Sequence, residues 1–300
     1  MHGGISPQAR AYRDAYEPEL DPLDFDDIEQ IRADAKSGFA AAVDRAIERH
    51  SLELADVVVG GVECLRIRST TGGTANGSML YIFGGAFIVG DPETDMPVIG
   101  ALAEWCAVEI IAPRYRLAPE YPAPAASDDC FAVYRAMVAD EPDRLLLSGE
   151  SAGGNLALLT AQRAVAAGLR VPAALGLLSP AADLRTDRAL FGPSADADPS
   201  ISHQRAIDLA SVYPGELSLD DPQISPLFGS MDGLPPTIIT TASRDLLLPM
   251  CLRLVRKLRR SNVEVDCTVW DGLWHVFEFY DDFPESAESL GEIAAFLNTR

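Results

Sequence analysis

Apolar positions near the start of the chain recur at helical spacing: Phe25, Ile28, Ile31, Phe39, Val43 and Ile47 fall on one face of a helix. The pattern predicts two helical pieces within the first 50 or so residues, around an acidic, proline-containing stretch from Glu17 to Asp27, all ahead of any strand. From Val62 onward the pattern changes. Short β-rich apolar runs alternate with helical stretches, the runs being Glu63 to Ser69, Ser78 to Phe83, Ala107 to Ala112, Arg144 to Ser148, Ala174 to Leu178, Thr237 to Thr241 and Val263 to Trp270. Such alternation predicts a mostly parallel sheet with helices on both faces. One interval breaks the rhythm: Ala182 to Gly233 is rich in Asp, Pro and Ser around a helical stretch from Ile201 to Tyr213. It is expected to be an insertion acting as a lid, because long inserted segments in compact domains are often functional.

A chain of 300 residues suffices for one large α/β domain or two small ones, and the continuing alternation is read as a single domain over 1–300. Its formal net charge of -21 is expected to repel phosphate backbones, anionic lipid surfaces and strongly anionic substrates, which sets nucleic acid and membrane partners aside. No apolar run approaches the roughly 20 residues of a membrane helix. The start, Met1-His2-Gly3-Gly4, has neither the basic residues nor the apolar stretch of a secretory signal, so a soluble, cytoplasmic protein is expected. Five cysteines (Cys64, Cys106, Cys130, Cys251, Cys267) are scattered without a C-x-x-C pair, which predicts buried thiols in place of a disulfide frame or a metal site.

The chemistry concentrates where Arg144 to Ser148 runs into Gly149-Glu150-Ser151-Ala152-Gly153-Gly154 and then an apolar helical run from Asn155 to Ala167. Strand, tight turn and helix follow one another. A serine is a weak nucleophile unless its oxygen is exposed beside a base, and flanking glycines permit the sharp turn that exposes it. The helix N-terminus adds partial positive charge near a reacting carbonyl oxygen. Ser151 is therefore the candidate nucleophile. The strand Ser78 to Phe83 runs into Phe83-Gly84-Gly85-Ala86-Phe87, whose small residues leave main-chain N–H groups uncovered. With the N–H of Ala152, those of Gly85 and Ala86 would form an oxyanion hole, Gly84 supplying the bend.

Four histidines limit the search for a base. His2 is terminal, His50 ends a predicted helix and His203 lies in the insertion; His275 follows the last predicted strand and is the candidate. An acid that orients this histidine should follow an earlier strand, between nucleophile and base in chain order. Asp245, in Ala242-Ser243-Arg244-Asp245, fits that place, with Asp271 as its rival and a salt bridge to Arg244 or a helix cap as its plainer role.

With these residues assembled, the whole chain resembles the hormone-sensitive-lipase-like family of α/β-hydrolases. Besides Gly149 to Gly154, the stretch Tyr115-Arg116-Leu117-Ala118-Pro119-Glu120-Tyr121-Pro122-Ala123-Pro124 with Asp128-Asp129-Cys130 is similar to a block of that family. The resemblance implies an eight-stranded α/β-hydrolase core and a helical cap built from about 1–50 plus about 182–233. It also implies esterase action without a cofactor and makes a homodimer plausible; with the acidic charge disfavouring anionic substrates, the expected substrate is a small neutral ester or lactone, and no metal is expected. Two motifs depart from the family pattern: the oxyanion loop, a histidine and three glycines in the family, reads Phe83, Gly84, Gly85 and Ala86 here, and Pro249 stands where the acid motif has a second aspartate. Phe87, Ile88, Trp274, Phe277 and Phe279 flank the catalytic loops and either line an apolar pocket or serve the core. A cap of both segments would limit pocket depth and favour acyl chains below about eight carbons. A non-catalytic ligand-binding protein and an acyltransferase using the same triad are the alternative readings.

Overall fold

The computed structural model describes residues 4–15, 23–74, 76–140 and 144–300; His2 and most of the acidic stretch after Glu17 lie outside them. Within them eight strands form one sheet: β1 Leu52–Val59, β2 Val62–Ser69, β3 Ser78–Ile82, β4 Glu109–Pro113, β5 Leu145–Glu150, β6 Leu175–Leu178, β7 Thr237–Ala242 and β8 Val265–Trp270. Their order is β1-β2-β4-β3-β5-β6-β7-β8, with β1, β2 and β4 paired antiparallel and every pairing from β4 to β8 parallel. The central strands β3, β5, β6 and β7 are buried almost throughout, as unbroken apolar runs covered on both faces should be.

The strand β1 was not expected, since the apolar pattern placed the first strand after Val62. It is a half-exposed strand at the sheet edge, with Glu53, Leu54, Asp56 and Val58 exposed, and its apolar signal is confined to the short run Val57 to Val59. Its clue was the turn. Gly60 and Gly61 both take positive φ (60° and 84°) between Val59 and its partner Val62, the conformation that a two-residue hairpin favours. A Cβ on Gly60 would lie 2.4 Å from the carbonyl oxygen of Ala132, so the hairpin also needs glycine for close packing.

Among the described residues eight α-helices surround the sheet: α1 Pro7–Ala15, α2 Ile28–Arg49, α3 Met96–Cys106, α4 Ala125–Asp140, α5 Ser151–Ala166, α6 His203–Val212, α7 Leu248–Arg260 and α8 Pro284–Asn298. In α7 the buried positions Met250, Cys251, Leu254, Val255 and Leu258 make one apolar stripe, and its last turn carries Lys257, Arg259 and Arg260 against the negative helix end. The inserted segment between β6 and β7 contains α6, capped by the Ser202 hydroxyl accepting from the Arg205 N–H. A second, smaller core gathers Ile5, Ala9, Leu273, Trp274, Phe277 and Phe283 and fastens α1 beside the loop that follows β8. Cys64, Cys106, Cys130 and Cys251 are buried free thiols and Cys267 is half-buried. Among the described residues no helix is long and apolar enough to cross a membrane.

Candidate active site

The parallel strands β5, β7 and β8 end at the same edge of the sheet, and the loops beyond them converge there. At the end of β5 the chain turns from extended Glu150 to Ser151, held at φ 50°, and enters α5 at once. Positive φ is strained for a serine and turns its side chain out of the strand–helix junction. Two glycines make the turn possible. A Cβ on Gly149 would sit 2.6 Å from the Gly153 carbonyl oxygen, and one on Gly153 would sit 2.0 Å from that of Ile82 in β3. These obstructions are backbone atoms that no rotamer can move. Gly153→Ala should therefore cost at least the 1–3 kcal/mol or so of an overpacked core, seen as a lowered thermal midpoint.

The structure brings Ser151, His275 and Asp245 together. The Ser151 Oγ lies 2.9 Å from His275 Nε2, and His275 Nδ1 lies 3.1 Å from Asp245 Oδ1. Asp245 is fully buried and its other contacts are donors: Thr241 Oγ1 at 2.7 Å to Oδ2 and the Leu247 N–H at 2.7 Å to Oδ1. Burial alone would raise its pKa, but His275 and the hydroxyls of Ser179 and Thr241 outweigh that and hold it below the ordinary carboxylate value. An ionised Asp245 accepts a hydrogen bond from Nδ1–H and leaves Nε2 free to accept from the serine hydroxyl.

Burial disfavours a charged His275, but the adjacent Asp245, assisted by Asp198 and Glu278, raises its pKa above the ordinary 6.5. The sign follows directly. A base must be neutral, and a raised pKa keeps the ring protonated to higher pH, so activity should fall off on the acid side at a pH above that of a free imidazole. The acid limb of kcat/KM against pH checks this, and a limb below pH 6.5 would contradict it.

The loop after β3 is stretched by three residues of positive φ, Gly85 (91°), Ala86 (55°) and Phe87 (61°). Its carbonyls are turned inward, Tyr115 donating its hydroxyl to the Phe83 oxygen at 2.9 Å and the Gly84 oxygen at 3.2 Å. The N–H groups of Gly85, Ala86 and Ala152 donate to no group among the described residues. Gly84 differs: its N–H is directed to the Glu150 carboxyl, so it bends the loop and is not a free donor. A Cβ there would collide with Glu150 Oε1 at 1.9 Å. Burial, with Asp95 and Glu278 nearby, pushes Glu150 well above the usual carboxylate range.

The remaining candidates separate clearly. His50 is buried with Nδ1 2.7 Å from Glu104, and His203 Nε2 sits 2.8 Å from the Thr186 carbonyl oxygen; both are structural. Asp271, the rival acid, is exposed and accepts from the Ser243 hydroxyl at 3.0 Å. Pro249 occupies the first turn of α7. Phe83 is buried, its ring stacked on Tyr115 with centroids 4.2 Å apart.

A cavity of about 780 Å³ opens above Ser151 and His275. Phe87, Ile88 and Phe279 line it, with Ile31, Ala35 and Phe39 of α2 on one side and Ile201, Ala206 and Leu209 of the inserted segment on another. Trp274 and Phe277 do not. They flank the catalytic loop in sequence, yet both point into the second core, where Trp274 stacks on Tyr12 at 5.3 Å. Neighbouring side chains on an irregular loop leave in different directions, which sequence distance cannot tell. The helix α1 likewise contributes nothing to the cavity wall. Among the described residues no group of three or more His, Cys, Asp or Glu could hold a metal ion.

Comparison with known proteins places these features. A family described as having the α/β-hydrolase fold matches residues 79–279. An esterase of Acinetobacter venetianus is 32% identical over 254 residues, 83% of either chain. An acetyl-hydrolase of Streptomyces hygroscopicus is 30% identical over 225 residues, 74% of this chain and 75% of that one. Among solved structures, a hormone-sensitive lipase from a metagenome library superposes with a TM-score of 0.85 at 31% identity, covering 97% of this chain and 95% of its own. An esterase from the bacterial hormone-sensitive lipase family superposes at 0.87 with 26% identity and 99% coverage of both.

Proposed function

The chain belongs to the α/β-hydrolase family, on its hormone-sensitive-lipase-like branch, and from that premise we propose that it hydrolyses small neutral carboxylic esters or lactones through an acyl-enzyme on Ser151. The observation that carries the proposal is the unbroken line of hydrogen bonds from Ser151 through His275 to Asp245, opening on the same cavity that Gly85, Ala86 and Ala152 line.

In this reading His275 Nε2 removes the Ser151 proton as Oγ attacks the ester carbonyl carbon. The carbonyl electrons move onto oxygen, where the amides of Gly85, Ala86 and Ala152 receive them. Collapse of the adduct expels the alcohol, which takes its proton from the imidazolium. Water, deprotonated by the same nitrogen, then attacks the acyl-enzyme, and collapse of the second adduct breaks the bond to Ser151 Oγ, which takes the proton back from the imidazolium as the acid leaves. Asp245 keeps its charge throughout and stabilises the imidazolium. The helix α2 and the inserted segment act as the cap. The cavity they close is of the size that holds a drug-sized molecule, not a triglyceride, and its wall is mainly apolar.

A screen of p-nitrophenyl esters from acetyl to palmitoyl, with lactones and amides, tests the substrate class. Fastest turnover on acyl chains shorter than about eight carbons supports it, and a maximum on long-chain emulsions overturns it. Phe83 takes no part in the chemistry, since its ring packs on Tyr115 and offers no hydrogen bond. Phe83→His should therefore keep kcat within about tenfold of the parent, a barrier change of about 1.4 kcal/mol or less. Steady-state kinetics on a short aryl ester checks that expectation.

A further inference from the structure

Asp198 stands on the inserted segment, next to Ser200, Ile201 and Ser202 of the cavity wall. Its carboxylate is only 8% exposed and accepts hydrogen bonds in two sets. Oδ1 fastens its own segment, taking the Ser200 N–H and hydroxyl, each at 2.8 Å, and the Ile201 N–H at 3.2 Å. Oδ2 reaches far along the chain, to the Leu246 N–H at 2.9 Å and the His275 N–H at 3.1 Å, partners 48 and 77 residues away. Leu246 directly follows Asp245. One oxygen atom therefore joins the main chain of the loop that carries the acid to the main chain of the loop that carries the base.

The two loops have few other ties. The ladder between β7 and β8 ends at Ala242 opposite Trp270. Beyond it come two main-chain bonds, Ser243 N–H to the Trp270 oxygen at 2.9 Å and Arg244 N–H to the Leu273 oxygen at 3.0 Å. The Ser243 hydroxyl adds two more, donating to Asp271 Oδ1 at 3.0 Å and accepting from the Gly272 N–H at 2.7 Å, and none of the four reaches the catalytic positions. Val276, immediately after His275, is held at φ 42°, a strained conformation for a β-branched residue that persists only where its surroundings enforce it. A triad needs its members within about 0.5 Å of productive geometry. Asp198 holds the two loops together there through the main-chain amides of Leu246 and of His275 itself, and Ser179, whose hydroxyl acts on Asp245 and accepts from the Val276 N–H at 3.5 Å, adds to that hold.

We propose that Asp198 is a positioning residue for the triad, supplied by the cavity wall, so that seating of the inserted segment and alignment of His275 with Asp245 are one event. The proposal rests on the reading of Ser151, His275 and Asp245 as the triad. All five bonds to Asp198 come from donors, which suits a carboxylate and nothing else. An amide in its place turns one of the two sets against an NH2 group, donor facing donor. An alanine removes both.

The test uses the full chain with Asp198→Asn, Asp198→Ala and, as a control, Asp187→Asn. Asp187 lies on the same segment and is likewise an aspartate, but it is exposed and its carboxylate accepts locally, from the Ala189 N–H at 2.9 Å. Three readouts are taken: kcat and KM on p-nitrophenyl acetate, the rate at which a small fluorophosphonate modifies Ser151 per folded molecule, and the deshielded Nδ1 proton of His275 by NMR. Both Asp198 variants should lose about 10- to 100-fold in kcat and in labelling rate together. KM should stay within about threefold, Asn should lose less than Ala, and Asp187→Asn should match the parent. The Nδ1 proton signal should shift or broaden.

A residue that only shapes the wall would change KM and leave labelling per folded molecule intact, and that result overturns the proposal. So does an equal loss in Asp187→Asn. If Asp198→Ala does not fold, the near-isosteric Asn variant and its NMR signal decide. Failure of the triad reading looks different: the parent itself would carry no adduct on Ser151.

Discussion

Ser151→Ala should lose on the order of a millionfold in kcat, a barrier increase of about 8 kcal/mol, by analogy with serine hydrolases in which the nucleophile has been removed. The expectation follows from position as much as from residue type. Ser151 Oγ is the atom that His275 Nε2 meets at 2.9 Å, and without it neither the acyl-enzyme nor the proton transfer that starts it exists. Stability should hardly change. Alanine carries the same Cβ as serine at φ 50°, so the strained turn and the glycines that permit it stay as they are. A folded variant with a thermal midpoint near that of the parent, no fluorophosphonate adduct and residual hydrolysis near the background rate is the expected result. Substantial turnover in this variant would assign the nucleophile elsewhere.

Asp245→Ala should lose about ten-thousandfold, near 5.5 kcal/mol of barrier, because the imidazolium formed during the reaction would lose its counter-charge and its orientation together. The asparagine variant is the more informative. The Leu247 N–H and His275 Nδ1 both address Oδ1, whereas Thr241, whose hydroxyl rotates to donate or accept, faces Oδ2. An amide would therefore keep its oxygen toward His275 and its NH2 toward Thr241, preserving the tautomer and losing only the charge. Asp245→Asn should accordingly be more active than Asp245→Ala. Asp271→Ala should remain within about threefold of the parent, since Asp271 is exposed and bonded to Ser243. Parallel kcat measurements on the three variants settle the order, and a loss at Asp271 that equals the loss at Asp245 would contradict it.

The adjoining carboxyls bear on the same pH range. Asp198, Asp245 and Glu278 all act on His275, and burial raises the pKa of Asp198 and Glu278, Asp245 adding to the effect on both. Mutating any one of them should move the acid limb of the rate profile downward, since each removes negative charge that favours the imidazolium.

Legibility in the sequence followed the range of the interaction concerned. Features set by neighbours along the chain were readable: seven of the eight strands as apolar runs, the turn of Gly149 to Gly154 from its glycines, and the bend at Gly84. Each rests on backbone sterics or on burial of a continuous segment, which act within a few residues. The edge strand β1, half of it facing solvent, carries only the short run Val57 to Val59 and mixes it with Glu53 and Asp56, too brief a signal to stand out.

What only the tertiary structure decided were directions and long-range partners. Trp274 and Phe277 sit beside His275 in the chain but enter a separate core with Tyr12 and Ile5, while Phe279 turns to the cavity. The choice between Asp245 and Asp271 depended on which carboxylate the loops after β7 and β8 carry inward. Asp198 is the extreme case. It is one of several aspartates in an irregular segment, and its role comes from amides 48 and 77 residues away. Local sequence determines which residues are chemically able to act and where the chain must bend. Which of them meet is set by how separate loops pack at the end of the sheet, and no spacing along the chain encodes that distance.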